Sequence, residues 1–176
     1  VDSGNTDQTN DIAKKFGALI IKSQGTDYSQ FRNDGLKAAS GEWVMYVDAD
    51  ERVSPELAAE IKDIKNPGVY QIPRKNIYLG KEMHYGGWGN DKVIRLFFKK
   101  FLQGYQGELH EQPVFSSQLS SLSSHLLHHS HRDLSSMLEK TLEFTKYEAA
   151  LRFESGHPPV VGWGFFMGSY LHVLRL

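Results

Sequence analysis

The sequence contains no cysteine, so a disulfide framework, a zinc–thiolate site and thiol catalysis are all excluded. It also lacks an excess of charge of one sign: the formal net charge of −1 at pH 7 argues against a nucleic-acid partner held by general basicity. No initiator Met or signal peptide precedes Val1, and we therefore expect the chain to be a fragment of a longer protein. The remaining composition, 40% apolar and 23% charged residues among 176, favours one α/β domain.

Helical and strand patterns alternate over the first half of the chain, as is typical of βαβ units. Helices are predicted around 6–16 and 29–39, with a short apolar strand at 18–21 between them. The best strand pattern is the continuous apolar run 43–47, which predicts a strand buried on both faces. Ser54-Pro55 then predicts a helix start, with Ser as the N-cap and Pro at the first helical position.

The second half begins with strand patterns and ends with a helix. Strands are predicted over 69–79, 92–98 and 109–115, and the stretch 116–124, with six serines in nine residues, predicts an exposed loop or hairpin. A helix follows over 132–154, and we expect its apolar face to pack on the core: Leu134, Met137, Leu138, Leu142, Phe144 and Leu151. The tail that follows this helix is apolar and aromatic but too mixed for a membrane span.

Two aspartates, Asp48 and Asp50, directly follow the predicted strand 43–47. In open α/β sheets ligands bind outside the carboxyl ends of the strands, so both acids should face that crevice. Two carboxylates one residue apart can share a hard divalent cation, Mg²⁺ or Mn²⁺, that also holds phosphate oxygens. The alternative is a pair of loop aspartates that cap the next helix.

The D-x-D segment occurs together with other motifs. Three segments taken together resemble the family-2 inverting glycosyltransferases with the GT-A fold: VDSGNTDQT, RNDGLKAASGEW and VDADERVSPEL. Three later segments resemble the bacterial branch of this family that adds sugars to the lipopolysaccharide inner core. They are GGWGNDKVIRLFFKK, LHE at 109–111 and LHHSHRDL at 127–134. The resemblance covers roughly residues 1–147.

The resemblance implies an α/β fold: a GT-A mixed sheet flanked by helices, with a partial core over 1–131 and a C-terminal helical extension with an apolar tail over 132–176. The family's first strand and helix, which precede the VDSG segment, are absent from this sequence. The serine-rich stretch also stands where the family has a glycine-containing turn.

The resemblance further implies donor-binding roles. The acid matching Asp2 hydrogen-bonds the nucleotide base, Asp48 lies near the ribose, and Asp50 contacts the metal on the diphosphate. A cation there would stabilise the charge of the departing nucleoside diphosphate. Arg32 would add a positive charge beside the phosphates, or else it is an ordinary helix-surface arginine.

An inverting transfer needs one general base for the attacking hydroxyl. Glu111 is favoured because it matches the family's His-Glu pair; Asp91 is second, either as base or as a group that orients the acceptor. Asp34 is a weaker third candidate, and His110 would only tune Glu111. The alternative for Glu111 and Asp91 alike is a plain surface carboxylate.

Two further residues are assigned acceptor-side or metal roles. The resemblance selects His128, among His125, His128, His129 and His131, to complete the metal shell; the alternative is a plain strand-end histidine. Trp88 would stack on a sugar face, or else it is a loop tryptophan that plugs the core.

These assignments predict a metal-dependent, inverting glycosyltransferase. It would move a sugar from a nucleotide-diphospho donor, a UDP-sugar, to a saccharide or lipid-linked saccharide in lipopolysaccharide or other cell-envelope glycan synthesis, with no nucleic-acid partner. We expect a cytoplasmic protein, peripheral on the inner face of the membrane. The alternatives are a truncated, non-catalytic sugar-nucleotide-binding domain and a D-x-D phosphatase; the latter is disfavoured by Arg52, where such phosphatases carry Thr or Val.

Overall fold

The computed structural model describes residues 1–4, 6–25, 27–85, 88–107, 111–131 and 133–156, with only the backbone of His131 and Glu143. Its elements in chain order are α1 (Thr9–Lys15), α2 (Tyr28–Ala38), β1 (Trp43–Met45), β2 (Glu51–Val53), α3 (Pro55–Lys62), β3 (Val69–Tyr78), β4 (Lys81–Glu82), β5 (Asp91–Phe98), a 3-10 turn (Lys99–Phe101), β6 (Leu102–Gln106), β7 (Gln112–Phe115), β8 (Leu119–Ser121), β9 (Leu126–His131) and α4 (Leu134–Glu154).

The chain divides into two compact units. Unit 1 comprises Val1–Pro73 and Lys92–Leu126, and unit 2 comprises Arg74–Asp91 and Leu127–Leu176. Each unit therefore consists of two separate stretches of the chain.

The sheet of unit 1 contains both strand directions. β1 pairs antiparallel with β5, from Trp43 opposite Phe98 to Met45 opposite Leu96. β3 pairs parallel with β8, and β6 forms an antiparallel pair with β7. This mixed sheet with its flanking helices is the expected α/β fold of the GT-A class, and that prediction is confirmed.

The core of unit 1 lies on both sides of β5. Leu96 packs in one cluster with Leu57, Ile72, Leu122 and Leu126. The next residue, Phe97, packs in a second cluster with Val69, Leu102 and Tyr105. Since successive strand residues point to opposite faces, β5 is buried on both faces of the sheet.

The predicted start of α3 at Ser54-Pro55 is confirmed, and α2 begins with a cap of the same kind. The Ser54 hydroxyl accepts a hydrogen bond from the Leu57 amide at 3.1 Å, and Pro55 opens α3. The Asp27 carboxylate accepts from the Gln30 amide at 2.8 Å and caps α2 in the same way. Each cap satisfies an amide that has no partner within its own helix.

Of two strand predictions in the first half, one is right only in part and the other is wrong. The run 43–47 forms a strand only to Met45, and Trp43 and Val47 remain 36% and 46% exposed, because β1 lies at one end of the strand order rather than at its centre. The predicted strand 18–21 does not form; a single parallel bridge joins Asp2 to Lys22, just after this segment.

Two predictions in the second half also need correction. The serine-rich stretch 116–124 contains a strand, β8, because the first residues of β3, from Val69 to Gln71, offer it a parallel partner. Among the described residues, the apolar face of α4 does not pack in a core: Leu134, Leu138 and Leu142 are each more than half exposed. Their four-residue spacing predicts one face of a helix, but it does not specify what covers that face. None of the described helices combines the length and the apolar character needed to cross a membrane.

Candidate active site

The acidic segment after β1 is a tight turn closed by its last residue. The Glu51 amide donates to the Asp48 carbonyl at 2.9 Å, and the Asp48 amide donates to Glu51 Oε2 at 3.0 Å. Glu51 is buried, so its carboxylate holds the turn from the inside. Asp50 is half-buried within this turn.

Arg95 neutralises the turn from strand β5. Its Nη2 donates to Glu51 Oε1 at 3.1 Å and also to Asp48 Oδ2. Arg95 is buried in the apolar sequence VIRLFF, where an unpaired charge would be strongly unfavourable. The pair therefore fixes the position of the turn against the sheet.

Arg32 joins Asp48 to Glu111. From helix α2, its Nη2 lies 3.1 Å from Asp48 Oδ1, while its Nε and Nη2 donate to Glu111 Oε1 at 3.0 and 2.8 Å. Burial alone would lower the pKa of the Arg32 guanidinium, but Asp48 and Glu111 raise it above its usual value. Arg32 is therefore a charged, paired group and not a free helix-surface arginine. We call these five residues the arginine–acid cluster: Arg32, Asp48, Glu51, Arg95 and Glu111.

Two tyrosines enclose the Arg32 guanidinium. Its central carbon lies 5.6 Å from the Tyr46 ring centroid and 5.4 Å from that of Tyr105, within cation–π range. Burial raises the pKa of Tyr46 to about 12, against the influence of Arg32, and burial also raises the pKa of Tyr105. Both phenols are therefore neutral at physiological pH. Within the described part of the chain, the Tyr105 hydroxyl and Arg95 Nε are buried without a hydrogen-bond partner.

A cavity of about 430 Å³ adjoins the cluster. Arg32 and Asp48 line it together with apolar and aromatic residues: Val1, Tyr28, Phe31 and Tyr46. Its size and its mixture of apolar walls with a few charged groups are typical of small-molecule sites.

Asp2 and Asp34 occupy other parts of unit 1. Asp2 Oδ1 accepts from the Gly4 amide at 3.0 Å and its Oδ2 from Asn10 Nδ2 at 2.7 Å. Asp34 accepts from Ser23 Oγ at 2.6 Å and lies 3.3 Å from Lys37 Nζ; these contacts lower the pKa of Asp34. No described contact joins Asp34 to the arginine–acid cluster.

Unit 2 contains a separate polar chain. Asp91 Oδ2 accepts from Arg74 Nε at 2.7 Å and from Asn76 Nδ2 at 2.9 Å. Asn76 Oδ1 lies 2.7 Å from His128 Nδ1, and the Asn76 side chain is fully buried in β3. We call these four residues the Asn76 chain: Arg74, Asp91, Asn76 and His128.

Trp88 lies beside this chain but not in a core. Its ring centroid is 5.2 Å from that of Tyr78, and the residue is 40% exposed. Its carbonyl accepts from Asn76 Nδ2 at 3.2 Å. An exposed indole face remains, so stacking on a sugar stays a prediction for this residue.

The Asp48 carboxylate is poorly suited to hold a divalent cation. Both oxygens of Asp48 face guanidinium groups, whereas Mg²⁺ typically uses one or two carboxylates with substrate phosphates and waters. Among the residues that the structure describes, no group of three His, Asp or Glu side chains is arranged as a metal site. Substrate oxygens would therefore have to supply part of the shell.

Sequence reasoning missed Glu51, Arg95, Arg74 and Asn76. A signal for two of them was present. Arg95 stands inside an apolar run and Asn76 inside a ten-residue strand, and buried polar groups in such positions need partners. Glu111, by contrast, was among the predicted site residues, and in the structure its carboxylate accepts a hydrogen bond from Arg32. Its neighbours 108–110 lie outside the described residues.

The mixed sheet with an acidic turn after one of its strands is consistent with the GT-A fold. The family model described as "Glycosyl transferase family 2" matches residues 1–127, and the chain belongs to that family.

Curated relatives carry glycosyltransferase names. The SPbeta prophage-derived glycosyltransferase SunS of Bacillus subtilis is 27% identical over 99% of this chain and 42% of its own length. An uncharacterized glycosyltransferase of Rickettsia typhi is 35% identical over 57% of this chain and 37% of its own length. The chain thus spans less than half the length of these relatives.

Proposed function

We propose that this chain is the donor-binding and catalytic part of an inverting, metal-dependent glycosyltransferase that uses a UDP-sugar. The observation that supports this most is the position of Arg32, whose guanidinium bridges Asp48 and Glu111. Arg32 thus contacts both Asp48, which we assign to the donor side, and Glu111, which we assign as the general base.

The donor would bind in the cavity that Arg32 and Asp48 line. Arg32 supplies charge-assisted hydrogen bonds of the kind that recognise phosphate oxygens, and the aromatic walls offer surface to a nucleoside. Asp50 would hold the cation together with the diphosphate. When bound, the cation would offset the negative charge that develops on the leaving group. His128 as a further ligand remains a prediction.

We favour Glu111 over Asp91 as the general base because Glu111 shares Arg32 with Asp48, the acid assigned to the donor side. The hydrogen bonding of the two acids is alike: the described donors reach only Oε1 of Glu111 and only Oδ2 of Asp91. A base must lie within hydrogen-bond reach of the proton that it removes, so proximity to the donor favours Glu111.

The acceptor would be a saccharide or lipid-linked saccharide in lipopolysaccharide or other cell-envelope glycan synthesis. The segments 109–111 and 127–134 support this branch by their resemblance to it. A lipid-linked acceptor would require a cytoplasmic enzyme at the inner membrane surface. Exposed leucines of α4 add apolar surface to such a protein: Leu134, Leu138 and Leu142.

The activity is tested by release of nucleoside diphosphate from a panel of nucleotide sugars, with and without Mn²⁺, by the full-length gene product. We expect turnover with a UDP-sugar that requires the cation and a saccharide acceptor. Tight donor binding without turnover on any acceptor would instead support the non-catalytic, sugar-nucleotide-binding alternative.

Membrane association has its own test. The apolar tail 157–176 lies outside the described residues, and we expect the full-length protein to sediment with anionic liposomes through it. Failure to sediment both with the tail and after its deletion would contradict this association.

A further inference from the structure

One side chain of helix α2 forms two hydrogen bonds with a single residue of strand β6. Nδ2 of Asn33 donates to the Tyr105 carbonyl at 2.9 Å, and the Tyr105 amide donates to Asn33 Oδ1 at 2.8 Å. On its other edge β6 pairs with β7, where Tyr105 lies opposite Pro113, a residue without an amide hydrogen. Asn33 therefore satisfies the main-chain groups of Tyr105 in the way that a further strand would.

A glycine permits this close approach of α2 to β6. A Cβ atom on Gly104 would lie 2.9 Å from Asn33 Oδ1. Gly104 also has a φ of +146°, a conformation that residues with a side chain rarely adopt. The backbone of β6 thus fits the Asn33 amide at this point and would clash with it if residue 104 carried a side chain.

The residue that Asn33 holds is the one whose ring faces Arg32. Tyr105 is buried, and its ring centroid lies 5.4 Å from the central guanidinium carbon of Arg32 and 4.9 Å from the ring centroid of Tyr46. Within the described part of the chain, the Tyr105 hydroxyl has no hydrogen-bond partner. Hydrogen bonding therefore fixes Tyr105 from its main chain and not from its hydroxyl, and Asn33 supplies two of those main-chain bonds.

The contact with β6 also affects the distance between Arg32 and Glu111. Arg32 and Asn33 are neighbours on α2, so their side chains leave the helix about 100° apart and reach different partners. Glu111 directly precedes β7, the strand that pairs with β6. A shift of α2 along β6 would therefore move the Arg32 guanidinium relative to both the Tyr105 ring and the Glu111 carboxylate.

We propose that Asn33 is a positioning residue for donor binding. Its two bonds to Tyr105 hold α2 against β6 at the position that keeps the Arg32 guanidinium on Asp48 and Glu111. This inference rests on the proposed function for the identity of the ligand, a nucleoside diphosphate. Asn33 acts through its neighbours, since the donor cavity is lined by Arg32 and Asp48 and not by Asn33 itself.

The position of Arg32 is measured without any ligand by the exchange of its Nε–H with water in ¹H–¹⁵N spectra of the full-length protein. Nε donates to Glu111 Oε1 at 3.0 Å and the side chain is 12% exposed, so this hydrogen should be protected in the wild-type protein. Its signal is assigned by its loss in Arg32→Lys. Asn33→Leu, which can form neither bond to Tyr105, should exchange about 10-fold faster. Asn33→Asp keeps the acceptor for the Tyr105 amide and should lie between the two.

The second readout is the affinity for UDP in the presence of Mn²⁺, measured by calorimetry. Asn33→Leu should weaken binding by about 10- to 100-fold, as expected when a binding group is displaced by about 1 Å. In an Arg32→Lys protein the same change should cause little further loss, because both substitutions would act on one group. Tyr70→Phe is the matched control: it removes a hydrogen bond to the Asn66 carbonyl, outside the arginine–acid cluster, and should change neither readout.

The outcomes separate a positioning role from a purely structural one. Unchanged exchange at Arg32 in a folded Asn33→Leu protein overturns the inference, and so does a loss of UDP affinity that adds in full to that of Arg32→Lys. If Asn33→Leu does not fold, Asn33→Asp decides the question, and exchange as slow as in the wild-type protein overturns the inference. If the wild-type protein does not bind UDP, the proposed function fails, while the exchange measurement still tests the role of Asn33.

Discussion

The arginine–acid cluster of unit 1 and the Asn76 chain of unit 2 use arginine in different ways. In the cluster, two arginines face three carboxylates, so the group as a whole is negatively charged. In the Asn76 chain, one arginine faces one carboxylate, and the remaining members are an amide and an imidazole. The first arrangement keeps a net negative charge, whereas in the second the charges of the arginine and the carboxylate balance.

The largest expected difference between the two regions is in turnover. Glu111→Gln keeps the side-chain shape but removes proton acceptance, so it should reduce turnover by about 10²- to 10⁴-fold while donor binding stays near normal. Asp91→Asn is the matched variant in the other region, and we expect a smaller loss. If Asp91→Asn abolishes turnover and Glu111→Gln keeps more than about a tenth of it, the base is Asp91.

Removal of an arginine should lower the free energy of unfolding more in the arginine–acid cluster than in the Asn76 chain. Arg95→Ala leaves the buried Glu51 carboxylate and Asp48 without their shared partner, which should lower the free energy of unfolding by about 3–5 kcal/mol. Arg74→Ala leaves Asp91 with its Asn76 bond and partial exposure, so about 1–3 kcal/mol is expected. Urea unfolding of both variants measures the difference; equal losses would contradict it.

Glu60 lies outside both regions, and its contribution to the pH dependence of stability is the smallest effect that we predict. It serves as a reference for a carboxylate that is not paired with an arginine. Glu60 accepts from the Ser123 amide and hydroxyl at 2.9 and 2.7 Å and from the Ser124 amide at 2.8 Å, with no arginine involved. Burial would raise the pKa of Glu60, but these hydrogen bonds lower it to about 2. A lowered pKa in the folded state stabilises the protein above the usual value near 4.5, and that stabilisation is lost as the pH falls towards 2.

The pH dependence of stability tests this reference. Unfolding of the wild-type protein should become easier between about pH 4.5 and 2, and part of that dependence should be missing in Glu60→Gln. Asp63→Asn, at the exposed residue that follows the same helix, is the control. Identical pH profiles for the wild-type protein and Glu60→Gln would show that the serine contacts contribute nothing.

The parts of the fold that follow from local pattern could be predicted from the sequence. The α3 cap at Ser54 and the extents of β3 and β5 depend on neighbouring residues along the chain, and the structure has them where the pattern indicated. The burial of the run 43–47 and the existence of β8 depend on which strands lie alongside, and both predictions failed.

The site residues likewise fall into those that sequence motifs indicated and those that only the tertiary structure brings together. The motifs indicated Asp48, Arg32 and Glu111, and the structure joins all three. Neither the pairing of Arg95 with the acidic turn nor the Asn76 chain has a spacing signature, because their members come from strands far apart in the sequence. Only the polarity of residues inside apolar strands pointed to them.

The central claim, that the acidic turn of the arginine–acid cluster serves a nucleoside diphosphate with a cation, is tested most directly by calorimetric titration of UDP with and without Mn²⁺. The wild-type protein and the control variant Asp63→Ala, changed at an exposed residue after α3, should bind UDP in a Mn²⁺-dependent manner. Asp50→Ala should keep its fold and lose that dependence, because it removes the carboxylate proposed to hold the ion. Unchanged Mn²⁺-dependent binding in Asp50→Ala would contradict the account.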